Sequence, residues 1–328
     1  MLRPVAVLEG IAGADARKNW RRLEEEKDYA RMNSILHFLF AAVIIHPTSK
    51  RSQGLDFDRM EIEPSPLDWG LSGGSCPVLG RWDRMPPVTS YLQRYLAGDH
   101  QDVWVDLRAL GPIPERLAED CAAVAAETMR RVARHIERLT GELDTLGLAP
   151  AAKLRFPTSP EELADLDRLD AEIGGLPAAL YACLRHVGGV SFTGDCPQLG
   201  LSYRNSDQYT DAPILPDPLV LPLVEELRWS WDEYQENVED DPDAAEDGFV
   251  FDFAPDELHK ANYSGATHDI ALPSRLADPV LEGVGGREGV TLVEYLRLSI
   301  TWGGMPGWSF TPEHTPPALE HLRARPDF

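Results

Sequence analysis

The sequence has few cysteines. Its 328 residues contain four, and none of them forms a Cys-x-x-Cys pair: Cys76, Cys121, Cys183 and Cys196. Scattered single thiols argue against a disulfide framework and against a paired-cysteine zinc site. Cys121 and Cys183 fall at apolar helical positions, so we expect both to be small core residues. The cysteine pattern and the lack of a secretion signal together predict a cytoplasmic location.

Long hydrophobic runs are also scarce. The longest candidate, SILHFLFAAVII, covers residues 34–45 and contains His37. A membrane-spanning helix needs about 20 apolar residues, which excludes this run of twelve. The charged stretch before it carries four acids, which makes it a poor signal-peptide start. We therefore predict a buried helix or strand here, and no membrane partner.

Recognisable catalytic motifs are missing as well. HExxH, GxSxG, GxGxxG and the phosphate-binding loop do not occur, which predicts a non-enzymatic protein with no cofactor and no metal. One alternative stays open, a hydrolase or metal-dependent enzyme that uses His259 and Ser264. His268 and neighbouring acids such as Asp252 and Asp256 belong to the same region. The surrounding letters, ANYSGAT, are more typical of a polar turn.

Positive charge is short in the second half of the chain. The net charge is −23. Residues 1–150 contain 19 Lys and Arg against 22 Asp and Glu, whereas residues 151–328 contain 12 against 32. Such a field repels nucleic acid and anionic membranes and attracts basic proteins. The alternative is that the acidity serves solubility alone.

An aromatic cluster precedes the most acidic stretch. No Lys or Arg occurs between Trp229 and His259. On a strand, Trp229 and Trp231 would share one face, and aromatic anchors beside an acidic loop suit a basic partner such as a toxin domain. The predicted partner-binding residues are Trp229, Trp231, Tyr234, Glu236, Glu239, Asp240, Asp241, Asp243, Asp252 and Asp256. The alternative places the tryptophans in the core and makes the loop a solvated tether.

The chain divides by pattern into three segments. Residues 1–84 are predicted to be irregular with one short apolar element, and Met85 is a candidate natural start. Residues 85–150 form a helical region. In it, apolar residues recur in steps of three and four between Pro114 and Gly147, which predicts one long amphipathic helix. A further alternative function is an oligomeric regulatory scaffold that associates through this helix. We predict a domain boundary near residue 150.

Residues 151–328 mix helix and strand signals, which predicts an α+β domain. Ser159 and Pro160 begin a helix. Further on, a short helix lies between glycine pairs, with structural turns at Gly174, Gly175, Pro177, Gly188 and Gly189. Strands are expected in VSFTG, in GFVFDFAP and around residues 268–272. The segment LVEYLRLSI predicts a final amphipathic helix.

The order of these elements resembles the SUKH superfamily, named after a fungal cell-wall-assembly regulator. The similarity covers about residues 160–305 and depends on Leu176-Pro177 before a helix, Gly188-Gly189 after it, and Tyr295-Leu296 in a closing helix. The resemblance implies an α+β domain with a mostly antiparallel sheet flanked by helices. It also implies a non-enzymatic role, often that of a bacterial immunity protein that binds and neutralises a toxin. Residues 1–150 lie outside it.

Overall fold

The protein consists of two compact units, Met1–Arg84 and Met85–Phe328. A computed structural model describes residues 40–45, 60–64, 90–204 and 215–328. In the first unit, β1 (Phe40–Ile45) pairs antiparallel with β2 (Met60–Pro64). Part of the predicted apolar element is therefore a strand. Cys76 and Met85 lie outside the described residues.

The second unit is a mixture of helices and small antiparallel sheets, compatible with the predicted α+β class. Its helices are α1 (Tyr91–Leu96), α2 (His100–Ala109), α3 (Glu115–Thr145), α4 (Pro160–Ile173), α5 (Ala178–His186), α6 (Val224–Asp240), α7 (Glu257–Lys260), α8 (Leu292–Thr301) and α9 (Leu319–Leu322). Its strands are β3 (Ala149–Pro150), β4 (Arg155–Phe156), β5 (Gly189–Ser191), β6 (Gly194–Cys196), β7 (Leu201–Ser202), β8 (Val220–Leu221), β9 (Phe249–Pro255) and β10 (Thr267–Leu272).

The described strands of the second unit form three separate antiparallel sheets. β5 lies between β4 and β8, β6 lies between β3 and β7, and β9 pairs with β10. Burial alternates along β9, with Phe249, Phe251 and Phe253 facing the core. None of the helices in the described part of the chain combines the length and apolar character needed to cross a bilayer.

The long amphipathic helix predicted from the sequence is α3. Its apolar stripe is buried within the same chain and includes one polar residue, Thr128, whose hydroxyl accepts a hydrogen bond from Nε1 of Trp104 at 3.1 Å. On the polar side, Glu127 pairs with Arg130 and Arg131. Because α3 uses its stripe to pack inside its own fold, that stripe is not available for the oligomeric association considered above.

The boundary predicted near residue 150 does not correspond to a division in the structure. α3, which precedes this position, packs against α5, which follows it. Ala149 and Pro150 also pair with β6, at Asp195 and Gly194. Residues on both sides of position 150 therefore share one core, and the prediction of separate domains there is wrong.

The glycine pair after α5 serves two physical needs. Gly188 adopts φ +74°, and a Cβ at this residue would lie 2.4 Å from the carbonyl oxygen of Phe156. Gly189 begins β5, and a Cβ there would lie 2.6 Å from Cδ2 of Leu223. The first glycine therefore supplies a left-handed conformation, and both allow close approach of the chain. Gly174 and Gly175 follow α4, and Pro177 immediately precedes α5.

Gly188→Ala should therefore destabilise the fold more than Gly147→Ala. Gly147 has a similar φ of +76°, but nothing lies within 4 Å of a Cβ placed there. Both substitutions force an L-residue into the left-handed region, at about 1–2 kcal/mol. Gly188→Ala adds the clash with Phe156, at about 1–3 kcal/mol more. Urea unfolding of both variants measures the difference, and equal losses would contradict the close approach.

Candidate functional site

The segment that carries Trp229 and Trp231 is a helix, and the interpretation of it as a strand is wrong. Only Val220 and Leu221 form a strand, β8, before α6 begins. The backbone N–H of Leu223 donates to a carboxylate oxygen of Glu226 at 2.8 Å, which supports the first turn. Residues two apart on a helix do not share a face, so Trp229 and Trp231 point in different directions.

One side of α6 is buried against β9. Trp231 is 8% exposed, stacks on Tyr234 with 5.5 Å between ring centroids, and meets Phe249 edge-on at 5.1 Å. Tyr234 also contacts Phe249, with centroids 5.3 Å apart. Trp231 is therefore a core residue, and Tyr234 is half-buried in the same aromatic cluster. Neither side chain presents the exposed anchor that the strand interpretation requires.

Arg228 fixes α6 to a second element, α4. Its guanidinium donates to Asp165 at 2.8 Å and to Glu172 at 2.6 Å, and Asp232 lies 3.6 Å away on the same helix. The hydrogen bonds from Arg228 lower the pKa of Asp165. Because α6 is held by aromatic packing on one side and by this ion-pair network on another, its outer surface has a defined position.

The outer surface of α6 combines one tryptophan with three acids. Trp229 is 63% exposed, and Glu233, Glu236 and Asp240 follow it in steps of four, three and four, which places all four on one helical face. We call this set the acidic face. Within the described residues, none of its three carboxylates forms an ion pair. Glu233 was missed by the strand interpretation, and helical spacing from Trp229 would have found it.

The acidic tract beyond α6 continues in regular structure. Glu239 is exposed at the end of the helix, and Asp241 accepts a hydrogen bond from the backbone N–H of Asp243 at 3.2 Å. That bond begins a 3-10 helix over Pro242–Asp247. The tract beyond α6 is consequently a 3-10 helix instead of the loop that the sequence predicted.

The last two predicted partner-binding residues lie on and just after β9. Asp252 is exposed, and Thr267 donates to it at 3.4 Å. Asp256 is buried and accepts hydrogen bonds from the backbone N–H groups of His259 and Ala266, at 2.8 and 2.7 Å. Burial raises the pKa of Asp256, but these bonds outweigh it and lower the pKa overall. Asp256 therefore caps α7 and is not available to a partner.

The residues of the enzyme alternative are not arranged as a nucleophile and base. Ser264 is exposed in a turn, and Nδ1 of His259 lies 2.9 Å from the carbonyl oxygen of Ala266. Among the described residues, no hydrogen bond joins Ser264 to His259. His268 is fully buried. The described part of the chain also contains no group of three or more His, Cys, Asp or Glu placed to hold a metal ion.

A cavity of about 330 Å³ lies elsewhere in the second unit, and we call it the Lys260 pocket. Its lining includes Leu215, Asp217, Glu257, Leu258, Val284, Arg287, Tyr295, Leu298 and Phe310. Behind this lining, Lys260 is 3% exposed; its Nζ lies 2.6 Å from Oδ1 of Asp217 and 3.0 Å from the hydroxyl oxygen of Tyr295. The pocket thus has a wall of charged and apolar side chains, with a buried ion pair at Asp217 and Lys260.

The protonation states of these buried groups are fixed by their surroundings. Burial disfavours the charge on Lys260, but Asp217 and Tyr295 outweigh it and raise the pKa of the amine. Burial and the charge of Asp217 raise the pKa of Tyr295 to about 12. Burial and the charge of Lys260 lower the pKa of His268. Lys260 stays protonated, so it does not supply the neutral amine that covalent catalysis needs.

Comparisons with known proteins give no match. No family model, no curated protein and no solved structure matches the chain. The resemblance to the SUKH superfamily therefore stays a prediction. Functional interpretation depends on the acidic face and the Lys260 pocket themselves.

The two tryptophans should differ sharply in their effect on stability. Trp231→Ala removes a ring from the aromatic cluster and should lower the free energy of unfolding by about 3–5 kcal/mol. Trp229→Ala removes an exposed ring and should change it by no more than about 0.5 kcal/mol. Chemical denaturation followed by circular dichroism measures both. Equal effects would contradict the opposite orientations of the two side chains.

The buried ion pair should be costly to break from one side. Asp217→Ala leaves the ammonium of Lys260 buried without its counter-charge and should cost about 3–5 kcal/mol of unfolding free energy. Adding Lys260→Met to that variant removes the stranded charge and should restore much of the loss. A double-mutant cycle measures the coupling between the two residues. Additive losses would contradict a direct interaction.

Proposed function

We propose that this protein is a non-enzymatic binding protein whose acidic face occupies a basic domain of another protein. The resemblance to SUKH proteins suggests the biological setting, that of a cytoplasmic immunity-type protein that neutralises a basic toxin or nuclease. The single observation that carries the proposal is an exposed tryptophan among unpaired carboxylates on one rigid helical face.

The exposure of Trp229 supports a role in binding. A large aromatic side chain that is 63% exposed contributes little to folding. Tryptophan is the residue type most enriched among those that dominate binding energy at protein interfaces. Because α6 is anchored on β9 and α4, the ring is presented without the ordering cost that a mobile loop would incur.

The unpaired acids support a basic partner. Glu233, Glu236 and Asp240 form no ion pairs within the described residues, so no described residue neutralises their charges. Asp241 and Asp243 extend the same charge past the helix end. Charge complementarity of this kind accelerates encounter between proteins more than it strengthens the final complex. The face should therefore govern association rate, and Trp229 should govern dissociation.

Neutralising the acidic face should slow association with the basic toxin or nuclease domain that this chain is proposed to bind. The variant Glu233→Gln, Glu236→Gln, Asp240→Asn should reduce the association rate constant by about tenfold at low salt, because it removes three charges from the contact. It should also flatten the dependence of that rate on salt. Trp229→Ala should raise the dissociation rate constant instead. Surface plasmon resonance over a salt series measures both.

A matched variant separates local from overall charge. Glu119→Gln, Asp144→Asn, Glu313→Gln removes the same number of charges from exposed positions outside α6. It should change the association rate far less than the acidic-face variant. If the two triple variants slow association equally, the net charge of the protein is responsible and the acidic face is not the contact. If neither triple variant changes the association rate constant relative to the parent chain, the electrostatic part of the proposal is wrong.

A further inference from the structure

The Lys260 pocket carries two charged side chains that the fold leaves unused. Asp217 is committed to Lys260. In the described part of the chain, Glu257 and Arg287 also line the pocket, but neither forms an ion pair with another residue or with the other. One uncommitted carboxylate and one uncommitted guanidinium therefore face a single cavity. Such a pair of opposite charges is complementary to a ligand that carries one positive and one negative group.

The guanidinium of Arg287 is held in place by contacts that leave most of its donors available. It stacks on the ring of Phe310, with 4.2 Å between Cζ and the ring centroid, and donates one hydrogen bond to Ser309. A guanidinium has five N–H donors and matches the geometry of a carboxylate bidentately. Stacking fixes the plane of the group, so a carboxylate ligand would meet a preorganised partner.

The carboxylate of Glu257 is directed over a glycine. Its Oε1 lies 3.0 Å from the position that a Cβ on Gly285 would occupy, and both residues line the cavity. A side chain at position 285 would crowd this carboxylate. Tyr295 is fully buried, and its hydroxyl oxygen accepts a hydrogen bond from Lys260.

The remaining wall and the size of the cavity restrict the ligand further. Leu258, Val284 and Leu298 supply apolar surface to the same lining. A volume of about 330 Å³ lies at the lower end of the range for small-molecule pockets. The site therefore suits a compact molecule with an apolar body.

We propose that the Lys260 pocket binds a free α-amino acid with an apolar side chain. Its carboxylate pairs with Arg287, its ammonium pairs with Glu257, and its side chain packs on the apolar wall. The ion pair of Lys260 with Asp217 holds the floor of the pocket and does not react. This binding function is independent of the acidic face, because none of the residues that carry it belongs to α6.

The test compares three probes that differ by one charge. L-phenylalanine, 3-phenylpropanoate without the ammonium, and 2-phenylethylamine without the carboxylate are titrated into the full chain by calorimetry. We expect L-phenylalanine to bind at least about tenfold more tightly than either analogue, because only it satisfies both charged side chains. Equal affinities, or no saturable heat with L-phenylalanine up to its solubility, would overturn the proposal.

Two substitutions test whether Arg287 binds the carboxylate of the ligand and Glu257 binds its ammonium. Arg287→Gln should weaken L-phenylalanine and 3-phenylpropanoate while leaving 2-phenylethylamine unchanged. Glu257→Gln should weaken L-phenylalanine and 2-phenylethylamine while leaving 3-phenylpropanoate unchanged. Arg325→Gln and Glu119→Gln remove the same charges from exposed positions outside the pocket and should leave all three affinities unchanged. Equal effects from pocket and control variants would overturn the assignment, and unfolding midpoints verify that each variant folds.

Discussion

The candidate interface depends on the aromatic contact between α6 and β9. Trp231, Tyr234 and Phe249 meet with their ring centroids 5.1 to 5.5 Å apart, and this contact fixes the rotation of α6 about its own axis. A helix that buries one side must expose the other, so the placement of Trp231 determines the placement of Trp229. A rotation of α6 by a single residue would turn the acids toward β9 and strand them without partners. The packing of the core therefore dictates the chemistry of the surface.

Charge is distributed in two distinct ways on α6. Arg228 gathers Asp165, Glu172 and Asp232 around one cation, so these acids belong to an ion-pair network that joins α6 to α4. Glu233, Glu236 and Asp240, one turn or more further along, have no such cation among the described residues. Exposed ion pairs add little stability, and unpaired surface acids add none. An acidic excess that contributes nothing to folding is more readily explained by solubility or by a partner, and its concentration beside Trp229 favours a partner.

Local sequence signals predicted those elements whose form depends on neighbouring residues. Helical spacing identified α3 and α8, and alternation identified β9. The signals Ser159 and Pro160 identified the start of α4, where Ser159 and Glu162 cap each other. Prediction failed for α6, because Trp229 and Trp231 were placed on a strand and the helical step from Leu227 to Trp231 was overlooked. It also failed at residue 150, since the packing of α3 on α5 is a tertiary contact that local composition does not encode.

The Lys260 pocket was beyond prediction for a related reason. Lys260 lies 43 residues from Asp217 and 35 from Tyr295, so no local motif links them. The sequence drew attention instead to His259 and Ser264, which are close along the chain but share no hydrogen bond among the described residues. Tyr295 was noted only as part of the SUKH resemblance, and its role beside the pocket emerged from the fold.

The electrostatics of the pocket favour binding over proton transfer. A general acid or base works best when its pKa lies near the operating pH. The surroundings displace the pKa values of the buried groups at this pocket away from neutral pH. The pKa of Tyr295 rises to about 12, that of Lys260 rises, and that of His268 falls. Lys260, Tyr295 and His268 are therefore poorly suited to exchange a proton near neutral pH. The ion pair of Lys260 with Asp217 instead supplies fixed charge behind the lining, which can help to orient a ligand.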